Sequence, residues 1–260
     1  MPNLETVDAA SLLDISRYAL QTVDERFGQS PDVDVRPAGY RSYHNGLHSR
    51  NVVQDFNVLA TTHELSPLLQ LVGNAACAAH DLDQDLGSGA NETTSADWLR
   101  EQIETRTTLG TDAATMGWLA IRGTEPIMQG FLMVDQLANQ QEYQTADQEL
   151  LAKLAACADL GRLYAPDGPY TAHLLAREFA GSPVNDQQAY EKLLAFQRTQ
   201  PAFLEAYQYP LASAANLLTR HEVAVRDYAE ELVDAIELGD VSNWQDVIRR
   251  DHAFAEAHLS

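Results

Sequence analysis

Apolar residues recur at helical spacing in nearly every long segment of this chain, and strand-like alternation of β-branched residues is almost absent. That pattern predicts an all-α fold. Helices are expected over 8–27, 43–63, 66–82, 92–106, 112–123, 146–163, 169–181, 186–207 and 212–238, with a last one from Asn243. "SPLL" offers Ser66 as an N-cap followed by Pro67 at the first helical position. "FGQSPDVDVRPAGY" and "DLDQDLGSGA" read as loops. At 260 residues, with no repeat or linker, the chain is expected to form one domain, its motif-bearing core near 40–180 and the helices of 186–260 packed on it.

Charge and hydropathy narrow the function classes. The formal charge is -21 with only two lysines, Lys153 and Lys192, which argues against a basic face for nucleic acid or anionic membranes. An anionic substrate must therefore be held by a metal or by a few local arginines. No apolar run approaches the roughly 18 residues that cross a bilayer, and the N-terminal "MPNLETVDAASLLD" is acidic where a secretory signal would be basic. The cytoplasm is the expected location. Cys77 and Cys157 sit among alanines and read as small core residues.

The stretch "SYHNGLHSRNVVQDF" holds His44 and His48 four residues apart with an Asn-Gly pair between them. If Ser42 caps a helix, Tyr43, His44 and Asn45 fill its first turn, and Val52, Phe56 and Leu59 continue the histidine row. Both imidazoles then face the core, where a hydrogen-bonded core histidine is the simplest reading. "LVGNAACAAHDL" is apolar almost all round and ends in His80 and Asp81. A buried carboxylate there costs several kcal/mol unless a divalent cation neutralises it; otherwise the doublet faces water at the helix end. "LLAKLAACADLGRLY" places Asp159 in an alanine and leucine face, which calls for a cation or for a salt bridge to Arg162.

The histidine pair, the His-Asp doublet and the later aspartate together resemble the HD-domain superfamily of metal-dependent phosphohydrolases over roughly residues 40 to 180. "YHNGLH" is similar to the Tyr-His-Asn-x-x-His element of cyclic-nucleotide phosphodiesterases and of a group of bacterial HD hydrolases. "AAHDLD" resembles the defining doublet and "CADLG" the helix bearing the last metal-binding aspartate. "NETTSADWL" and "YTAHLLAREFAGSP" resemble further stretches of the bacterial group.

The resemblance implies a helical bundle in which His48, His80, Asp81 and Asp159 hold a divalent metal. The mixed nitrogen and oxygen ligands suit Mn, Fe, Co, Ni or Zn, with Mg at a second position bridged by Asp81. It implies hydrolysis of a small phosphorylated metabolite or nucleotide by a metal-activated water, with His44 as general acid. Glu92 is expected to orient that water, with Asn91 beside it or capping the helix. Arg41, Asn45 and Arg50 around the histidine element, and Arg177 further on, are the expected substrate contacts, against surface salt bridges for the arginines.

The chain departs from the cyclic-nucleotide enzymes at Gln84, where they carry a histidine, and Phe196 and Gln197 stand in a different context from their purine-binding pair. Asp83 and Asp85 remain as second-metal ligands or as solvated turn residues. A metal-containing binding or regulatory protein without turnover, or an iron-dependent oxygenase, would use the same ligands. The oligomeric state is not encoded in these patterns.

Overall fold

The computed structural model describes residues 6–31, 37–129, 132–180 and 187–259. Among the described residues the chain is all-α apart from one small hairpin. Its elements are α1 (Thr6–Phe27), α2 (Gly46–Thr62), α3 (Pro67–Ala79), α4 (Ala90–Arg106), α5 (Gly110–Gly123), β1 (Pro126–Gln129), β2 (Leu132–Gln136), α6 (Ala146–Asp159), α7 (Gly168–Ala180), α8 (Gln187–Gln197), α9 (Gln200–Ala206), α10 (Ala212–Leu218), α11 (Glu222–Glu237) and α12 (Trp244–His258). The expected helical residues Gly181 and Asp186, and part of the "FGQSPDVDVRPAGY" loop, lie outside the described residues.

α3 is the centre of the fold. It packs against α1, α2, α4, α5 and α6, as a helix that is apolar all round must. Its Gly73, Ala75, Ala76, Cys77, Ala78 and Ala79 are all buried, and small side chains let the neighbouring helices approach closely. Gly73 is the tightest case: a Cβ there would lie 2.0 Å from Cζ of Phe56, a ring with no exposed surface. Ser66 caps α3 by accepting from Leu69 N, with Pro67 following as the pattern predicts. Both thiols are buried, and burial pushes each pKa up, Cys157 to about 12. They sit as inert core residues.

Leu204, Tyr207, Tyr209, Val225, Ala229 and Phe254 from the C-terminal helices and the segment joining α9 to α10 join the same apolar core. Ala176, Leu193, Leu232, Ala235, Ile236, Val241 and Val247 form a second, smaller cluster. α11 is amphipathic, with Leu232 and Ile236 buried on the face opposite its acidic residues.

Several boundaries differ from the sequence expectation. The helix expected over 186–207 breaks at Arg198 and Thr199, because Pro201 has no N–H to continue it and instead occupies the first turn of α9. The helix expected over 212–238 is interrupted between Leu218 and Glu222, where neither glycine nor proline marks the break. The helix expected over 146–163 stops at Asp159. The antiparallel hairpin β1–β2, irregular between Ile127 and Met128, is too short for its alternation to register in the sequence.

Candidate metal centre and its cavity

The "YHNGLH" element resolves into a turn followed by a helix. Ser42 is not the cap; its hydroxyl donates to Leu174 O. Asn45 is the cap, its Oδ1 accepting from Leu47 N and His48 N while its Nδ2 donates to the carbonyls of Ser42 and Arg41. Glycine follows because Asp24 lies against it: a Cβ on Gly46 would fall 1.6 Å from Asp24 Oδ1. His44 therefore precedes the helix and His48 lies in its first turn. They are not one helical row, yet the rings come within 5.9 Å of each other, with Tyr43 packed against both.

Three elements bring His48, His80, Asp81 and Asp159 together. His48 Nε2 is 3.2 Å from His80 Nε2, 3.3 Å from Asp81 Oδ2 and 3.2 Å from Asp159 Oδ1. His80 Nε2 is 3.1 Å from Asp81 Oδ2 and 3.3 Å from Asp159 Oδ1. His80 and Asp81 follow the last turn of α3 and Asp159 ends α6, so both carboxylates stand at helix C-termini, where the backbone dipole already disfavours negative charge. Both members of the doublet are buried, which excludes the solvent-facing alternative.

The donor set fits a cation. His80 Nδ1 lies 2.8 Å from Cys77 O, a contact that places the ring proton on Nδ1 and leaves the Nε2 lone pair aimed at the cluster. Asp81 Oδ2 is buried and has no hydrogen-bond partner among the described residues. Two imidazole nitrogens and two carboxylates packed this tightly need a positive charge among them, a metal ion or a proton. His48, His80 and Asp159 could hold a metal ion, and the orphaned Asp81 oxygen sits beside them. With protons alone the same balance falls on His80. Burial disfavours a charged His80, but Asp81 and Asp159 outweigh it and hold its pKa well above the ordinary value. Burial likewise opposes ionisation of Asp81, yet the adjoining histidines lower its pKa to about 2. Asp159 is lowered in the same way.

The salt-bridge explanation for Asp159 is overturned. Arg162 instead donates through Nε to Asp55 Oδ2 at 3.1 Å and lies 3.7 Å from Asp167. Asp81, expected to bridge to a second metal, accepts through Oδ1 from Gln84 Nε2 at 2.8 Å. Asp83 and Asp85, the other candidates for a second metal, are paired with Arg26 and Arg41.

Glu178 is the residue that sequence reasoning missed. From α7 its Oε1 lies 2.6 Å from His44 Nδ1, and its Oε2 accepts from Tyr43 N and His44 N at 2.9 and 3.1 Å. Burial opposes the charge on His44, but Asp81 and Glu178 prevail and raise its pKa to about 9. Glu178 is correspondingly lowered, chiefly by His44 against the cost of burial. Its signal in "YTAHLLAREFAGSP" is a carboxylate one turn from Leu175 on a helix face that is otherwise apolar.

The expected substrate contacts divide. Arg41 lines the central cavity, with its guanidinium donating to Asp85 and to Gln84 O. Asn45 is 1% exposed and its amide is committed to capping, so it does not reach a substrate. Arg50 is held by Asp24 and Gln29 O and lies off the cavity wall. Arg177 stacks over Trp244 of α12, 5.4 Å from the ring centroid, also off the wall.

Glu92 lines the cavity, but its Oε2 accepts from Gly89 N at 2.5 Å and so closes the first turn of α4. Burial, with Asp81 and Glu125 nearby, raises its pKa. Asn91 accepts from Leu86 N and does not cap the helix; Gly89 occupies that position with φ 82°.

The cavity measures about 440 Å³. His44, His48, His80, Asp81 and Asp159 form one part of its wall. Apolar residues of the hairpin and of α7, α8 and α9 form much of the rest. No family model, curated protein or solved structure matches the chain. No helix of the described residues is long and apolar enough to cross a membrane.

Proposed function

We propose that this protein is a metal-dependent phosphohydrolase of the HD-domain type, acting on a small phosphate ester. The observation that carries the reading is the His44–Glu178 pair beside a four-residue ligand set, in which His48, His80 and Asp81 are buried and Asp159 half-buried, all opening into one cavity. His48, His80, Asp81 and Asp159 would hold the cation. When bound, a divalent ion there supplies Lewis acidity toward a phosphoryl oxygen and lowers the pKa of nearby water.

The chain's own residues account for the proton. Glu178 accepts from His44 Nδ1–H and stabilises the imidazolium, leaving Nε2–H to donate to the departing oxygen. Its bonds to Tyr43 N and His44 N fix the turn that carries the ring, so the acid is positioned before substrate arrives. Gln84 fixes the Asp81 carboxylate, which supports one cation over a bridged pair. Asp55 holds Arg162 at the wall in the same manner.

The test is elemental analysis of the purified protein, followed by a panel of phosphate esters assayed with the metal found and with Mn and Co. The reading expects turnover that disappears together with the metal in His80→Ala. Bound metal with no ester hydrolysed would instead make this a binding protein.

A further inference from the structure

Charge and lining of the cavity constrain what the hydrolase reading leaves open, the chemical class of the substrate. Among the described lining residues the arginines are Arg41 and Arg162, and each is already paired with a carboxylate, Asp85 at 2.9 Å and Asp55 at 3.1 Å. Five carboxylates share the same wall: Asp55, Asp81, Glu92, Asp159 and Glu178. One divalent cation and an imidazolium on His44, added to these two arginines, bring the five carboxylates only to neutrality. No surplus positive charge remains for a polyphosphate, which needs several unpaired cations around it.

The remaining wall is apolar and aromatic. Phe179, Phe196 and Phe203 line it with Met128 and Met133 of the hairpin. Phe179 and Phe196 pack with ring centroids 5.9 Å apart. Phe179 is 66% exposed and Met128 50% exposed while both line the cavity, which places them at its mouth, where large apolar groups are otherwise unfavourable in water. The position of the acid decides which part of a substrate meets this wall. The departing oxygen must lie at His44, and the helix that holds His44 through Glu178 presents Leu175 and Phe179 beside that carboxylate, three residues before it and one after.

Resting on the phosphohydrolase reading, we infer that the substrate is a phosphate monoester of an apolar alcohol, aromatic or long-chain, whose departing group lies against Leu175, Phe179 and Phe196. Hydrolysis transfers the phosphoryl group to water: the ester P–O bond breaks, a P–O bond to the water oxygen forms, and the alcohol leaves with the proton from His44. Thioether and aromatic side chains give such a pocket adaptable, largely apolar contact, and a volume of this size encloses a small ligand.

Binding and turnover are measured separately. Calorimetry on the full chain with its own metal complement compares 1-naphthylmethylphosphonate, in which CH2 replaces the ester oxygen, with methylphosphonate and with the corresponding phosphonate analogue of AMP. The naphthyl compound is expected to bind at least about tenfold more tightly than either. In Phe179→Ala, an exposed position whose change leaves the fold intact, the naphthyl-to-methyl affinity ratio is expected to fall about fivefold or more. Equal or tighter binding of the AMP analogue or of methylphosphonate, or an unchanged ratio in Phe179→Ala, overturns the inference. Turnover of 1-naphthyl phosphate in the same samples tests the hydrolase reading by itself. Tight naphthyl binding without turnover removes that reading and upholds the ligand class, whereas turnover that favours polar esters removes the ligand class and upholds the hydrolase.

Discussion

Replacing Glu178 with glutamine keeps the side chain's shape and takes away one negative charge 2.6 Å from His44 Nδ1. Burial alone would lower the pKa of His44; Asp81 and Glu178 raise it to about 9. An opposite charge at this range is worth roughly 1–3 pKa units, so the variant's imidazole should titrate about two units lower. A cation bound beside Asp81 offsets that carboxylate's attraction, which makes Glu178 the main support of the imidazolium in the loaded protein. For a two-unit drop the acid form of His44 falls up to about 100-fold at pH above the wild-type value and changes little at pH below the variant's. The assay is kcat/KM against pH for wild type and Glu178→Gln, in which the alkaline limb should move down with little loss at acid pH.

Stability gives an independent readout of the same pair. A raised histidine pKa contributes stability that is complete below the ordinary imidazole value and disappears as pH rises through about 9. The full shift corresponds to about 3 kcal/mol, shared between Glu178 and Asp81. Glu178→Gln should therefore lower Tm more at about pH 6 than at about pH 10. A uniform loss of activity with the alkaline limb unmoved would mean that Glu178 only anchors the Tyr43–His44 turn, and the general-acid argument would fail.

Asp81→Ala and Asp159→Ala should each lose the metal by elemental analysis, whereas His44→Ala should retain it and turn over about 10²–10⁴-fold more slowly; a full metal complement in Asp159→Ala would break the ligand assignment. Arg50→Ala removes the contacts to Asp24 and Gln29 O, so stability should fall by about 1 kcal/mol in urea denaturation with KM within about twofold of wild type. A tenfold rise in KM would restore Arg50 as a substrate contact. Gly73→Ala drives a methyl group into the buried Phe56 ring and should cost about 1–3 kcal/mol, read as a Tm several degrees lower. Asp251 is fully buried, accepts one bond from Tyr228, and is pushed by burial up to about pKa 7. A raised carboxylate pKa makes folding less favourable as pH rises through that value, so Asp251→Asn should stabilise the protein by up to about 4 kcal/mol near pH 8 and have little effect near pH 4. Equal Tm changes at the two pH values would show that the carboxylate does not titrate there.

Periodicity and short-range chemistry made much of this molecule legible in its sequence. The all-α class follows from helical spacing, α3 from an all-round apolar run, and the start of α3 from Ser66 and Pro67, because each depends on residues within a turn or two of one another. The ligand candidates were legible for a related reason: carboxylates and histidines at Asp81, Asp159, His48 and His80 interrupt stretches that must be buried, and that cost is visible without coordinates. Capping was legible only in part. Ser42 and Asn45 are both good caps three residues apart, and Asp24, from another helix, decides between them by leaving room for nothing larger than glycine at position 46.

Pairing between distant segments was decided by the tertiary structure alone. His44 and Glu178 stand 134 positions apart, and no local pattern says that α7 turns Glu178 toward the histidine and Arg177 toward Trp244. The same holds for Arg50 against Asp24, Arg162 against Asp55 rather than Asp159, and Gln84 on Asp81. The cavity wall combines the hairpin with residues of α2, α4, α6, α7, α8 and α9, from separate stretches of chain. A sequence fixes which faces must be buried, since burial follows from composition within a few turns; which charged groups meet, and what shape remains between them, depends on how those faces dock, and docking is a property of the whole packed chain.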